Sequence, residues 1–234
     1  QEGEKMIAAA VADELERQAE RHDVHEEYLK AQMAINGVVA TTHYGNINMA
    51  TEFGVVRPTQ EIDPASILTT IRAAQAKSKG GLKTGGRANG YVALVGAEMF
   101  EALLTSDDVK TAYQFSQANG NPLRNELGTV AAGYTMFRLG NVDFILYDDT
   151  FTNKAGQAVE VLETGAGVLI PRTSIGRVFY GPASTLSGLG SFGSKRFATS
   201  FRDPKDRYVE VESEQSTLAI NEQFGATVAL SLKA

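Results

Sequence analysis

From Glu4 to Asn36 the chain contains neither glycine nor proline. Ile7, Val11, Leu15, Ala19, His22, Leu29 and Met33 fall near one face of that stretch at three-to-four-residue steps, the spacing of an α-helix. Gly37 stands where a residue just past a helix end should stand. About 33 residues at ~1.5 Å each make a rod on the order of 50 Å long, several times the usual helix of about 11 or 12 residues. Its ends are apolar, but Glu16 to Glu27 is polar nearly all round. Asp13–Arg17 and Glu26–Lys30 stand at i,i+4 spacing and support the helix modestly. A rod of this kind is expected to lie across a surface and to pack at its two ends.

The segments after the rod are shorter. Residues 38–57 read as extended, with Val38, Val39, Ile47, Met49, Phe53 and Val55 as their apolar positions. Asp63-Pro64 starts a second helix, with Asp63 as N-cap, Pro64 at the first helical position, and Ile67, Leu68 and Ile71 as the apolar stripe. The run GGLKTGGRANG, 80–90, is a loop by composition. Tyr91–Val95 reads as a short buried strand, followed by helices near Glu98–Leu104 and Asp107–Gln117. YTMFRLGNVDFILYDD, 134–149, is a hairpin turning at Gly140-Asn141. Ala166–Pro171 and Ser174–Tyr180 are further strands, and 181–195 is a Gly/Ser-rich connection. In RYVEVESEQSTLAI, 207–220, Val209 and Val211 face one way and Glu210, Glu212 and Glu214 the other, as in a half-exposed strand. Gly225 marks a bend before a last strand, ATVALSL. The order is long helix, strands, helices, strands: an α+β chain, not the regular alternation of a doubly wound parallel sheet.

Composition narrows the function classes. The chain of 234 residues is 43 % hydrophobic, enough for one substantial core or two small ones. Its net charge of −6 argues against broad binding to nucleic-acid backbone, which needs clustered Lys and Arg. It has no cysteine, so disulfides and Cys-based metal or nucleophile chemistry are excluded. No run approaches the roughly 18 apolar residues of a membrane span, and no signal-peptide pattern is present in these residues. The start, Gln1-Glu2-Gly3-Glu4, lies almost at once inside the helical pattern and reads as that of a fragment.

Three motifs carry possible chemistry. In RHDVHEE, 21–27, His22, His25 and Glu26 share a helix face and offer zinc- or iron-binding groups. The two-histidine zinc signature of helices places its histidines at i and i+4; here they are three apart, and the only other histidine, His43, lies in a strand region. The cluster reads as a solvated helix waist, with a metal-dependent enzyme using His22, His25 and Glu26 as the alternative. GLGSFG, 188–193, matches G-x-G-x-x-G in letters, but no helical stripe follows and no βαβ unit surrounds it, as a pyrophosphate site requires. GGLKTGGR has Gly, Lys and Thr out of P-loop order. No cofactor is called for, and nothing specific marks an enzyme.

The ordered set of segments resembles the phage lambda-type major capsid protein family of tailed bacteriophages. EEYLKAQMAINGVVATTHYGNINMATEFG resembles the end of that family's spine helix and its first P-domain strands, and DPASILTTI the helix entering the A-domain. YVALVGAEMFEALLTSDDVKTAY, FRLGNVDFILYDDTFTNKAGQ and LETGAGVLIPRT resemble A-domain elements. RFATSFRDPKDRYVEVESEQSTLAINEQFGATVALSL resembles the terminal return through the P-domain.

The resemblance implies a Hong Kong 97-type α+β fold. Residues 1–57 would be the first part of the P-domain, 58–184 the A-domain, 185–220 the second part of the P-domain, and 221–234 a terminal strand returning to the A-domain. The family's N-terminal arm and extended loop would be absent. It implies a structural protein, not an enzyme, that joins copies of itself into pentamers and hexamers of an icosahedral shell around DNA. Assembly would take place in the bacterial cytoplasm, with scaffold, portal and decoration proteins as further partners and the virion as final location. An encapsulin-like compartment shell is the alternative within the same fold. Subunit contacts are expected from Lys83 and Arg87 in the A-domain loop, and from Arg202, Asp203, Lys205, Asp206 and Arg207 in a P-domain turn near three-fold contacts.

Overall fold

In the computed structural model, which describes residues 2–41, 44–82, 86–111, 134–153, 155–185, 188 and 190–233, the glycine- and proline-free run is one helix, α1, Glu2–Ile35. Its packing differs from the expectation of two anchored ends. Residues 2–10 are exposed, while Leu29, Ala31, Met33 and Ile35 are buried. Glu26–Lys30 forms as expected at 2.7 Å. Arg17, however, pairs with Glu14 at 2.8 Å rather than with Asp13, because i,i+3 neighbours are as close on a helix surface as i,i+4 neighbours. Gly37 ends the run with φ +65, and a Cβ on it would stand 2.2 Å from the Phe224 ring, so both the conformation and the space demand glycine.

Two compact units divide the chain: residues 1–31 with 177–220, and residues 32–176 with 221–234. The first contains the greater part of α1 and an antiparallel hairpin of strands here numbered in chain order, β11 (Phe197–Arg202) and β12 (Val209–Glu214). Their register places Ser200 opposite Val211 and Phe201 opposite Glu210. The alternation read over 207–220 holds through β12. The run then breaks at Gln215-Ser216, and 217–221 is a separate strand, β13, paired with β10 (Gly176–Tyr180). A single strand was expected because the alternation carries no mark of a change of partner.

The second unit begins with a short antiparallel ribbon, β1 (Val38–Thr41) with β2 (Gly45–Asn48). The extended reading of 38–57 fails at Met49–Phe53, which is a one-turn helix, α2. Asn48 caps its start by accepting from the Ala50 amide at 2.9 Å, and Gly54, at φ 60, closes its end; caps on both sides hold a helix too short to show a period. β3 (Thr59–Ile62) leads through a 3₁₀ turn, Pro64–Ser66, into α3 (Ile67–Gly81). Asp63 caps the 3₁₀ turn, accepting from the Ala65 amide at 2.9 Å, while the N-cap position of α3 itself falls on Ser66. The buried stripe of α3 is Ile67, Ile71, Ala74 and Ser78, whereas Leu68 is 41 % exposed. The end of α3 meets another backbone so closely that a Cβ on Gly81 would lie 1.9 Å from the Gly225 carbonyl.

A six-stranded mixed sheet forms the core, ordered β3-β14-β9-β4-β6-β5, with β4 at Tyr91–Val95, β5 at Met136–Leu139, β6 at Val142–Leu146, β9 at Ala166–Pro171 and β14 at Val228–Leu232. β4 runs parallel to β6, and β9 antiparallel to β4. The Gly140-Asn141 hairpin turns as predicted, with Gly140 at φ +64. Phe137 and Phe144 stack at 4.7 Å, and Phe100, from α4 (Ala97–Leu104), meets Phe137 edge-on at 5.3 Å. Residues 107–111 are helical as expected, while the rest of that predicted helix lies outside the described residues. A ribbon of β7 (Thr150–Thr152) and β8 (Ala158–Glu160) completes the unit, and a 3₁₀ turn, Phe224–Ala226, precedes β14 where a bend was expected.

Candidate assembly surfaces

The polar waist of α1 is not simply solvated. Glu26 is only 3 % exposed. It takes the Lys30 ammonium at 2.7 Å, the Gln215 amide at 2.8 Å and the Tyr180 hydroxyl at 3.1 Å. Burial pushes its carboxyl up, but hydrogen bonds from Lys30 and Tyr180, with the Lys30 charge, outweigh that and hold it below the usual glutamate range. Lys30 is raised in turn by its bond to Glu26. One turn earlier, Asp23 binds Arg196 and, at 2.9 Å, Lys195, and both lower its pKa. His22 Nε2 stands 2.8 Å from the Ser213 hydroxyl. The waist is thus a polar seam along the 177–215 segment of the same unit.

The arrangement separates the three residues of the metal alternative. His22 turns to Ser213, Glu26 to Tyr180 and Gln215, and His25 is exposed with its ring stacked on Tyr28. Among the described residues no three His, Asp or Glu side chains gather as a metal-binding set. His43 lies outside those residues. After GLGSFG the chain is irregular to Arg196 and then enters β11, so no helix N-terminus stands there to receive a pyrophosphate.

The turn RDPKDR joins β11 to β12. The Asp203 amide donates to the Tyr208 carbonyl at 3.0 Å, and the Asp206 amide to the Asp203 carbonyl at 2.8 Å. Asp206 adopts φ 58, a left-handed conformation that aspartate tolerates better than most residues. Two ion pairs brace the turn: Arg202 with Asp206, and Arg207 with Asp203 at 2.8 Å. Each arginine holds its aspartate below the ordinary carboxylate range. Lys205 is exposed at the tip. The sequence brings these five residues together because they are contiguous, and the hairpin register adds the pairing.

Of the loop residues, Lys83 lies outside the described residues and Arg87 is exposed. Three residues after Arg87, the Gly90 carbonyl accepts from the Arg172 amide at 2.8 Å. Arg172 and Arg138 both grip Asp143, Arg138 at 2.8 Å. Asp143 is 2 % exposed, and a carboxylate buried to that degree requires such partners. Sequence reasoning missed this cluster, although the hairpin register alone sets Arg138 opposite Asp143. It also missed Arg57, which donates to the Ile35 carbonyl and, at 3.2 Å, to that of Ala34. Arg57 lies over the Phe224 ring at 5.3 Å, and burial lowers its pKa to about 10. It closes the end of α1, whose own last turn has no basic residue.

Comparison with known proteins accounts for this architecture. The family model of phage major capsid protein E matches residues 1–232. The major capsid protein of Pseudomonas phage KPP10 is 26 % identical over 183 residues, which are 76 % of this chain and 51 % of that protein. The chain therefore spans about half the length of that relative. A crystal structure of a protein described as a prophage capsid protein of E. coli CFT073 superposes with a TM-score of 0.66 over 95 % of this chain and 67 % of that one, at 15 % identity. The expected resemblance is borne out, and neither the encapsulin-like nor the metal-enzyme reading is favoured. A long helix, a mixed sheet and a match over 232 residues lead to one conclusion: the fold is of the Hong Kong 97 type, and the chain belongs to the phage major capsid protein E family.

Proposed function

We propose that the chain is a structural building block of an icosahedral phage or prophage head, joining copies of itself into pentamers and hexamers around packaged DNA. The observation that carries this reading is the family match over residues 1–232. In it, α1 and the β11–β12 hairpin form the P-domain and the six-stranded sheet the A-domain. The RDPKDR turn serves three-fold contacts and the Arg87 loop contacts within a capsomer. The protein does structural work in the virion after assembly in the bacterial cytoplasm, with scaffold, portal and decoration proteins as further partners. The acidic balance, −6 overall, suits a container that encloses DNA without gripping its phosphates.

Negative-stain electron microscopy of the purified whole gene product tests the reading. Rings or closed shells are the expected result; small particles only, with scaffold co-expressed, would overturn it. Reversing the charges of Asp203, Asp206 and Arg207 together is expected to lower the assembled fraction at least tenfold while leaving the circular-dichroism spectrum unchanged. Normal assembly of that variant would remove the turn from the contacts.

A further inference from the structure

Strands β9, β4 and β6 lie side by side, and the loops at their two ends carry opposite charge. At the end where β4 and β6 begin and β9 stops stand Arg138 and Arg172, with Arg87 just upstream of β4. Asp143 neutralises one of the two guanidinium groups it holds, and both arginines remain about half exposed. The pair thus presents a surplus positive charge at this end. At the opposite end, where β4 and β6 stop and β9 begins, Asp148, Glu160 and Glu163 are exposed. Tyr134 engages the neighbouring Asp149, and Lys233 is drawn off to Asp63 at 2.6 Å. No ion pair involves Asp148, Glu160 or Glu163 among the described residues.

Opposite charge on the two ends of one sheet decides how copies can meet. Two arginine ends, or two carboxylate ends, brought face to face repel one another, and like-charge juxtaposition across an interface costs several kcal/mol. An arginine end against a carboxylate end attracts. That contact is heterologous, so it propagates from copy to copy and makes a ring where the rotation between copies closes.

We propose that copies of this chain meet head to tail through the sheet ends, with Arg138 and Arg172 of one copy facing Asp148, Glu160 and Glu163 of the next. This pairing rests on the shell-forming function proposed above and names the contact that orders copies around a capsomer.

Cysteine cross-linking tests it, since the chain has no cysteine of its own. Asn141→Cys marks the arginine end and Thr164→Cys the carboxylate end; both positions are exposed. Within one copy they are separated by the length of β4, five residues or roughly 17 Å at about 3.3 Å per residue. A disulfide needs Cα atoms within about 7 Å, so every bond formed joins two copies. The double variant, assembled and then oxidised, is expected to give a ladder of species beyond the dimer on a non-reducing gel, whereas each single variant stops at the dimer. Adding Asp148→Lys, Glu160→Lys and Glu163→Lys is expected to reduce the ladder at least tenfold. Shells visible by microscopy without a ladder would overturn the head-to-tail pairing alone. Absence of assembly by the unsubstituted whole gene product as well, with scaffold co-expressed, would overturn both the pairing and the function on which it rests.

Discussion

Phe144→Ala is expected to destabilise the sheet unit by about 3–5 kcal/mol, the range for removing a fully buried phenylalanine ring. Phe144 is 0 % exposed in the middle of β6 and stacks on Phe137, which in turn meets Phe100 of α4. Truncation leaves a hole beside the Phe137 ring, and a sheet held on both sides by neighbouring strands cannot collapse into it. Phe144→Leu keeps most of the volume and should cost about 1.5 kcal/mol. Phe192 provides the contrast at 97 % exposure; its replacement by alanine should stay within about 0.5 kcal/mol. Urea unfolding followed by circular dichroism reads all three. Equal midpoints for Phe144→Ala and Phe192→Ala would refute the assignment of Phe144 to the core.

Glu26→Ala should cost about 3 kcal/mol, from loss of a buried charge and of the partners it satisfies. Gln215 and Tyr180 lose their acceptor, and Lys30 loses its counter-charge. Glu26→Gln keeps an acceptor without the charge and should cost about half as much. The pair also sets a pH window. The folded carboxyl titrates below its ordinary 4.5, so its stabilisation is complete above that value and is lost as pH falls through the folded pKa. Lys30 titrates above 10.5, so its share is complete below that value and is lost as pH rises through its own folded pKa. Between the two limits stability should be flat with respect to this pair. Denaturation midpoints taken across that range check it, and unchanged midpoints in both variants would return Glu26 to the role of a solvated residue.

Those two sites differ in how far the sequence announces them. Phe144 stands in an apolar run behind a Gly-Asn turn, and the turn fixes the register that buries it. The length of α1 was equally legible, because an unbroken three-to-four-residue period needs no distant partner to be read. Glu26 was not legible. Its neighbours in sequence are charged, as on any solvated face, while Tyr180 and Gln215 lie 154 and 189 residues away. Arg57 was hidden in the same way, since the carbonyls it closes belong to a helix more than 20 residues upstream. Helix α2 escaped for the opposite reason, being shorter than any period can show. Asp143 lay between these cases: its partner across the hairpin was written in the register, but Arg172 was not.

The distances in sequence bridged along α1 have a consequence in time. His22 meets Ser213 across 191 residues, and at about 5–20 residues per second of synthesis the helix waits roughly 10–40 seconds for that partner to emerge. Through that interval Leu15, Ala19 and Leu29 have nothing of their own unit to cover them beyond the helix itself, since the rest of that unit begins at residue 177. A newly made α1 therefore keeps those positions uncovered until the segment from residue 177 onward, with β11 and β12, has been made. Slowing translation beyond residue 177 would lengthen the exposed interval without altering the finished molecule.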